Sequence, residues 1–214
     1  MKALLLAVFV PALLAVTLLC GCSSAPPAAA PKATPAVQPE VKPPELYSAK
    51  QCFSTLMNLA QRWQPDALPF HMESELNTEA TGQGGKATVW RAMFASQNRG
   101  TMKSFVCSGS RLSSAPASGF TSTAEAAYPP NVPALIFDPS YFQTDSDKAY
   151  ATTLEHGGSA MVKKDPQQPV IYILDWDPKQ KVLLWTILYG KSQAERQGVC
   201  VVDATKGTFI RAGK

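Results

Sequence analysis

Apolar residues fill positions 3–19 of the chain, interrupted only by Pro11 and Thr17, and a single basic residue, Lys2, precedes them. The pattern then changes abruptly. Residues 23–46 read SSAPPAAAPKATPAVQPEVKPPEL, with prolines at 26, 27, 31, 35, 39, 43 and 44. Proline removes a backbone donor and fixes φ, so this stretch excludes a helix and favours extended, polyproline-like backbone. Its side chains are too small and too few to build a core. A helical rhythm begins at residue 49. Cys52, Phe53, Leu56, Met57, Leu59, Ala60 and Trp63 recur at spacings of three and four, Ser48 stands ready as a cap, and Pro65 ends the run, which predicts a helix over 49–63. Strand-like segments follow at 68–76, 87–95 and 102–107, the last two separated by the Asn98-Arg99-Gly100 turn signal.

Residues 110–143 are rich in Ser, Ala, Pro and Gly around an apolar island at 134–137, and read as a connector packed locally against the domain. A second programme starts at Asp145 and Ser146, either of which can cap a helix over 147–155 that Gly157-Gly158 would end. Strands are predicted at 170–176, 182–189, 198–203 and 208–211, with Asp177-Pro178-Lys179-Gln180 and Ala204-Thr205-Lys206-Gly207 as turns. The two halves can be superposed in sequence: Val89-Trp90-Arg91-Ala92-Met93-Phe94 falls on Leu184-Trp185-Thr186-Ile187-Leu188-Tyr189, and Cys107 and Cys200 follow their tryptophans at similar distances. A unit of about 60 residues buries little surface by itself. The expected fold is therefore α+β, with two similar helix-plus-antiparallel-strands units, 47–109 and 144–214, packed as one domain.

The second unit resembles a PepSY-like domain. The matching residues are Thr144 to Tyr150 opening a helix before Gly157-Gly158, Trp185 in the central strand, and Val201-Val202-Asp203-Ala204-Thr205-Lys206-Gly207, close to a family strand end of Val-Asp-Ala-x-Thr-Gly. The first unit has the helix and Trp90, but Ser108-Gly109-Ser110 stands in place of that ending. The resemblance implies a small exported, non-catalytic module, in a family proposed to regulate peptidases, and carries over no catalytic residue.

One basic residue, an apolar core and small residues after it make 1–21 a secretory signal peptide. Leu19, Gly21 and Cys22 resemble the lipobox of bacterial lipoproteins, although Cys20 stands where Ala or Ser is more usual. That resemblance implies cleavage before Cys22, lipidation of its thiol and anchorage in a membrane. Ser23, rather than Asp, after the lipidated residue resembles lipoproteins forwarded to the outer membrane, facing the periplasm. Residues 22–46 then become a tether which, extended, reaches about 70 Å. The expected partners are the membrane, through Cys22, and a protein or peptide of the cell envelope.

Charge narrows the classes further. The 214 residues carry a formal charge of +4, and only 17% are charged, against about 25% in ordinary domains. Basic residues are scattered, with no run longer than Lys163-Lys164, so the clustered face that nucleic acid requires is absent. Of five cysteines, Cys20 leaves with the signal and Cys22 takes lipid; among Cys52, Cys107 and Cys200 a disulfide between any two suits an oxidising compartment and leaves one thiol over, and buried free thiols are the alternative. No zinc, redox or cofactor motif is present.

Candidate chemistry is sparse. His71, Glu73 and Glu75 alternate with Phe70, Met72 and Ser74 and would share one strand face, the weak candidate for a metal site. His156 precedes Gly157-Gly158, where a cation suits the last carbonyls of a helix. A hydrolase using His71 or His156 is the enzymatic alternative, without a nucleophile motif to accompany it. The pairs Asp145/Asp147 and Asp175/Asp177 have cap and turn roles that explain them. Trp90 and Trp185 are expected in the core, and Trp63 and Trp176, at element ends, are expected in core or rim packing, with a binding patch as the alternative.

Overall fold

The computed structural model describes residues 42–213. The predicted signal peptide, the Cys22 motif and the tether up to residue 41 lie outside them. The first helix, α1 (Ala49–Trp63), carries Cys52, Phe53, Leu56 and Ala60 on its buried face, as the spacing predicts. It is followed by β1 (Leu68–Glu75), β2 (Val89–Ser96) and β3 (Thr101–Ser108), each paired antiparallel to the one before. The segment read as a connector does more than pack locally. It contributes two strands, β4 (Gly119–Ser122) and β5 (Ala126–Ala127), which both pair with β3. Neither has the apolar alternation by which a strand is recognised, because both lie at the sheet margin and remain exposed.

The second half opens with α2 (Ser146–Thr153), but Gly157-Gly158 does not end the helical path. A π-helical turn, Leu154–Gly158, kinks it at His156 and Gly157, and α3 (Ser159–Lys164) continues beyond. Gly157 adopts a left-handed φ of 105°. Gly158 lies so close to the Tyr189 hydroxyl that a Cβ there would stand 2.2 Å from it. The glycines therefore permit a close approach and a kink rather than a stop. Then come β6 (Val170–Asp177), β7 (Val182–Gly190), β8 (Arg196–Asp203) and β9 (Phe209–Gly213), again antiparallel neighbours.

Among the described residues, nine strands form one sheet in the order β4-β3-β2-β1-β6-β7-β8-β9, with β5 beside β3. The mixed α+β class is as expected. The halves, however, join edge to edge through β1 and β6 rather than by stacking. That seam is short: His71 pairs with Asp175, Met72 with Leu174 and Glu73 with Ile173. Beyond it the Tyr172 N–H donates to the Ser74 hydroxyl at 3.0 Å instead of to a backbone carbonyl.

What the seam lacks in backbone bonds is made up on the helix face. Trp90, Tyr172 and Trp185 are fully buried there, with ring centroids 5.9 to 6.3 Å apart, so the core runs continuously across both halves. The Trp90 indole donates to the Tyr47 carbonyl at 2.8 Å and the Trp185 indole to the Thr144 carbonyl at 2.9 Å, in each case one residue before a helix N-cap. The start of the second helix also caps the first. Asp145 accepts from its own neighbour Ser146 N–H at 2.7 Å, from Lys50 N–H at 2.9 Å and from the Ser48 hydroxyl at 2.6 Å, while Ser146 Oγ accepts from Ala49 N–H at 2.9 Å. Orphan donors of both first turns are thus satisfied by one pair of residues. Gly85 makes the fit possible, since a Cβ there would meet Asp147 Cα at 2.2 Å.

Cys52 on α1 and Cys107 on β3 form a disulfide, with Cα atoms 5.8 Å apart, and Cys200 keeps a buried thiol. The sequence superposition that set Cys107 beside Cys200 is corrected by the pairing: Trp90 faces Cys107 whereas Trp185 faces Val202, and Cys200 lies opposite Ile187. A bulge between Pro69 and His71 removes Phe70 from the face of Met72. Phe70 packs instead with Ala95 and Val132 in a second cluster that Tyr128, Leu135 and Ile136 help to cover.

Candidate functional site

Strand β1 carries every polar group that the sequence singled out in the first half, and its central position decides what they meet. Met72 and Ser74 are buried toward the helices, so His71, Glu73 and Glu75 face the other way. His71 Nδ1 lies 2.7 Å from Asp175 Oδ1 across the seam, and its Nε2 lies 3.6 Å from Glu73. Glu75 turns from this group and accepts from Arg91 Nε at 2.6 Å on β2. The result is a row of alternating charge across β2, β1 and β6. Burial opposes charge on the imidazole, but the hydrogen bond it donates to Asp175, the contact with Glu73 and the fields of both carboxylates outweigh it and raise His71 to about 9. The His71 ring in turn holds Glu73 below the usual carboxylate range.

The three residues that made the weak candidate for a metal site do not converge: His71 and Glu73 meet, while Glu75 is taken by Arg91. Among the described residues no group of three His, Cys, Asp or Glu is arranged to hold a metal. His71 is also unsuited to act as a general base near neutrality, since a group at about 9 is already protonated there. His156 is exposed and stacks on Phe209 with centroids 4.1 Å apart. It stands at the kink, not at a helix end, so the expected interaction with final carbonyls is replaced by ring stacking. Trp63 donates to Glu125 at 2.8 Å, and Trp176 packs on exposed Tyr141 with centroids 5.0 Å apart.

Where β1 ends, the surface opens. A cavity of about 580 Å³ lies over Leu76, Asn77 and Thr78 and reaches Pro169 and Lys191. A second, of about 280 Å³, shares those three residues and extends to Leu112 and Pro116. The loop that forms the common floor is held in place by its own polar side chains. Asn77 donates to Thr88 Oγ1 at 2.6 Å and accepts from Glu79 N–H at 2.9 Å, and Glu79 accepts from the Ser110 hydroxyl and, at 2.8 Å, from Arg111 N–H.

Sequence reasoning had passed over Asp175, Arg91 and this loop as parts of a site. Each of the two charges is alone in an otherwise apolar run, VIYILDW and VWRAMFA, and a solitary charge in a buried strand is a signal for a partner on the neighbouring strand. The loop offered no comparable signal, because its shape depends on segments from three distant parts of the chain.

No family model matches the chain, PepSY-like or otherwise. No curated protein matches it either. Among solved structures, the fold is similar to that of a "putative lipoprotein (CD1622)" from Clostridium difficile 630, with a TM-score of 0.47 and 12% sequence identity over 75% of this chain and 91% of that one. Among the described residues no helix is long and apolar enough to cross a membrane.

Proposed function

We propose that this chain is an exported lipoprotein, anchored through lipid on Cys22, whose folded part is a non-catalytic binding module for a protein or peptide partner in the cell envelope. The observation that carries the reading is the Cys52–Cys107 disulfide in a domain that follows a secretory signal and a Leu-x-Gly-Cys motif. Disulfides persist in oxidising compartments, so export and cross-link support each other. The proline-rich residues 23–46 serve as the spacer between lipid and domain, and Ser23 favours the periplasmic face of an outer membrane. Against an enzyme stands the state of both histidines, one an imidazolium between carboxylates and the other stacked on Phe209.

The binding module is a repeated unit in this reading. Each half is a helix followed by antiparallel strands, and each has a buried indole bonded to the carbonyl just before its helix cap. Regulation of a peptidase is the role that the PepSY-like resemblance adds. Metabolic labelling with radioactive palmitate tests the anchor. Label on the wild-type chain, its loss in Cys22→Ala and transfer of the protein out of the membrane fraction are expected. Labelling that persists in Cys22→Ala, or a wild-type chain without label, overturns it.

A further inference from the structure

The strands of the second half are apolar on both faces. Tyr172, Leu174, Trp185, Ile187, Cys200 and Val202 face the helices and belong to the main core. The alternate residues, Ile171 and Ile173 on β6, Leu184 and Leu188 on β7, and Val199 and Val201 on β8, face the other way. Near-continuous apolar runs of this kind mark strands that are covered on both sides. In the first half that far face has a cover, since Val132, Leu135 and Ile136 of the connector pack there on Phe70 and Ala95. In the second half, neither hydrophobic cluster of the described residues includes any of the six. Leu184, Leu188 and Val201 are buried at the centre of this band, and Ile171, Ile173 and Val199 are half-buried around them.

Register fixes which side chains lie side by side across the band. One row runs Glu73, Ile173, Thr186, Val201 and Arg211 over β1, β6, β7, β8 and β9, and the next runs Ile171, Leu188 and Val199. The first row is centred on Thr186 and is its own complement. Turned over about an axis along β7, it sets Ile173 on Val201, Thr186 on Thr186 and Glu73 on Arg211. The second row sets Ile171 on Val199 and Leu188 on Leu188. Charge closes the ends. Glu73 holds its carboxylate beside His71, and Arg211 is exposed without an ion-pair partner among the described residues. Stacked sheets lie about 10 Å apart, a gap that a Glu and an Arg side chain span together. Because β9 is the sheet margin, a second sheet laid in this way ends over β1 and does not extend across the first half. Asp175 then approaches Asp203, but each is already engaged, Asp175 by His71 and Asp203 by the N–H groups of Thr205 and Lys206.

We infer that two copies of this chain pack face to face through β6, β7 and β8 about a twofold axis along β7, with Glu73 of one copy paired to Arg211 of the other at each end. The inference goes beyond the binding-module reading and does not depend on it.

Cysteines placed on and off the axis test it in intact cells. In Thr186→Cys the two new thiols face each other, so a disulfide-linked dimer should dominate on a non-reducing gel and return to monomer with reductant. Ser104→Cys, on the far face of β3 and away from the axis, should stay monomeric, as should the wild-type chain, whose Cys200 is buried. Sedimentation of the full-length protein in detergent supplies the second measurement. Glu73→Arg and Arg211→Glu should each weaken association tenfold or more, about the value of a charged hydrogen bond, and the two together should restore it. A folding defect would not be repaired by the second charge. A wild-type chain that sediments as a monomer overturns the inference. So does Thr186→Cys that stays unlinked, links no better than Ser104→Cys, or links to a different envelope protein. A monomer whose β7 amides lose exchange protection when residues 22–41 are cleaved off overturns it too, and gives the face to that segment. None of these outcomes touches the lipid anchor or binding of a partner through another surface.

Discussion

His71 shows how one side chain's environment sets its chemistry. Its side chain is 22% exposed and lies between Asp175 and Glu73, with Arg91 and Glu75 the next charges along the row. The folded state raises its pKa from 6.5 to about 9. A raised pKa means that the folded state binds the proton more tightly, so the stabilisation is complete below about pH 6.5 and is lost as pH rises through 9. Urea unfolding at pH 6, 8 and 10 should show wild-type stability falling toward that of His71→Gln, with the two nearest at pH 10. At pH 6 the substitution should cost about 1 kcal/mol, a charged hydrogen bond discounted for partial exposure. An unchanged difference between the two proteins at pH 6 and pH 10 would refute the linkage.

The helices and strands are held by a few cross-links between distant segments. The disulfide between α1 and β3 closes a loop across a separation of 55 residues, and in the chain-entropy account such a loop is worth about 4 kcal/mol. Cys52→Ser with Cys107→Ser should lower the unfolding free energy by about that amount, measured by urea titration, and reductant should add nothing in the double variant. Asp145 is a comparable element-scale link, since it accepts from the start of both helices. Asp145→Ala should cost about 2 kcal/mol, more than an ordinary cap, because donors on two helices lose their partner together. Asp147→Ala is the control: it lies in the first turn of α2, where its carboxylate accepts from the adjacent Lys148 N–H, and should change stability by about 0.5 kcal/mol or less.

For the whole molecule, the sheet is the continuous object and the two halves are its wings. The seam between them has three register pairs and relies on the Trp90, Tyr172 and Trp185 cluster behind it and the His71–Asp175 pair in front. Native-state hydrogen exchange should therefore find β1 and β6 opening together with the global unfolding of the wild-type domain. In Trp185→Phe, which removes the bond to Thr144, α2 should exchange faster than α1. Equal acceleration of both helices would argue against separate attachment of the halves.

Most elements were legible in the sequence, because helical spacing around Leu56 and the apolar runs around Trp90 and Trp185 are local signals of burial. Places where expectation failed share a non-local cause. Gly157-Gly158 reads as a stop until Tyr189 is packed against it, and Ala126–Ala127 reads as loop until β3 lies beside it. Phe70 alternates correctly with His71, yet a bulge sends it to the other cluster. The sequence by itself determined the order of most elements and the residues available to the core, and it alone carries the proposed secretion and lipidation signals, which are read linearly. Only the tertiary structure decided which cysteines join, that His71 faces Asp175 rather than a metal with Glu75, and that a groove forms over residues 76–78. Those depend on strand order and register, which bring together residues from 55 to more than a hundred positions apart, and local pattern contains no record of them.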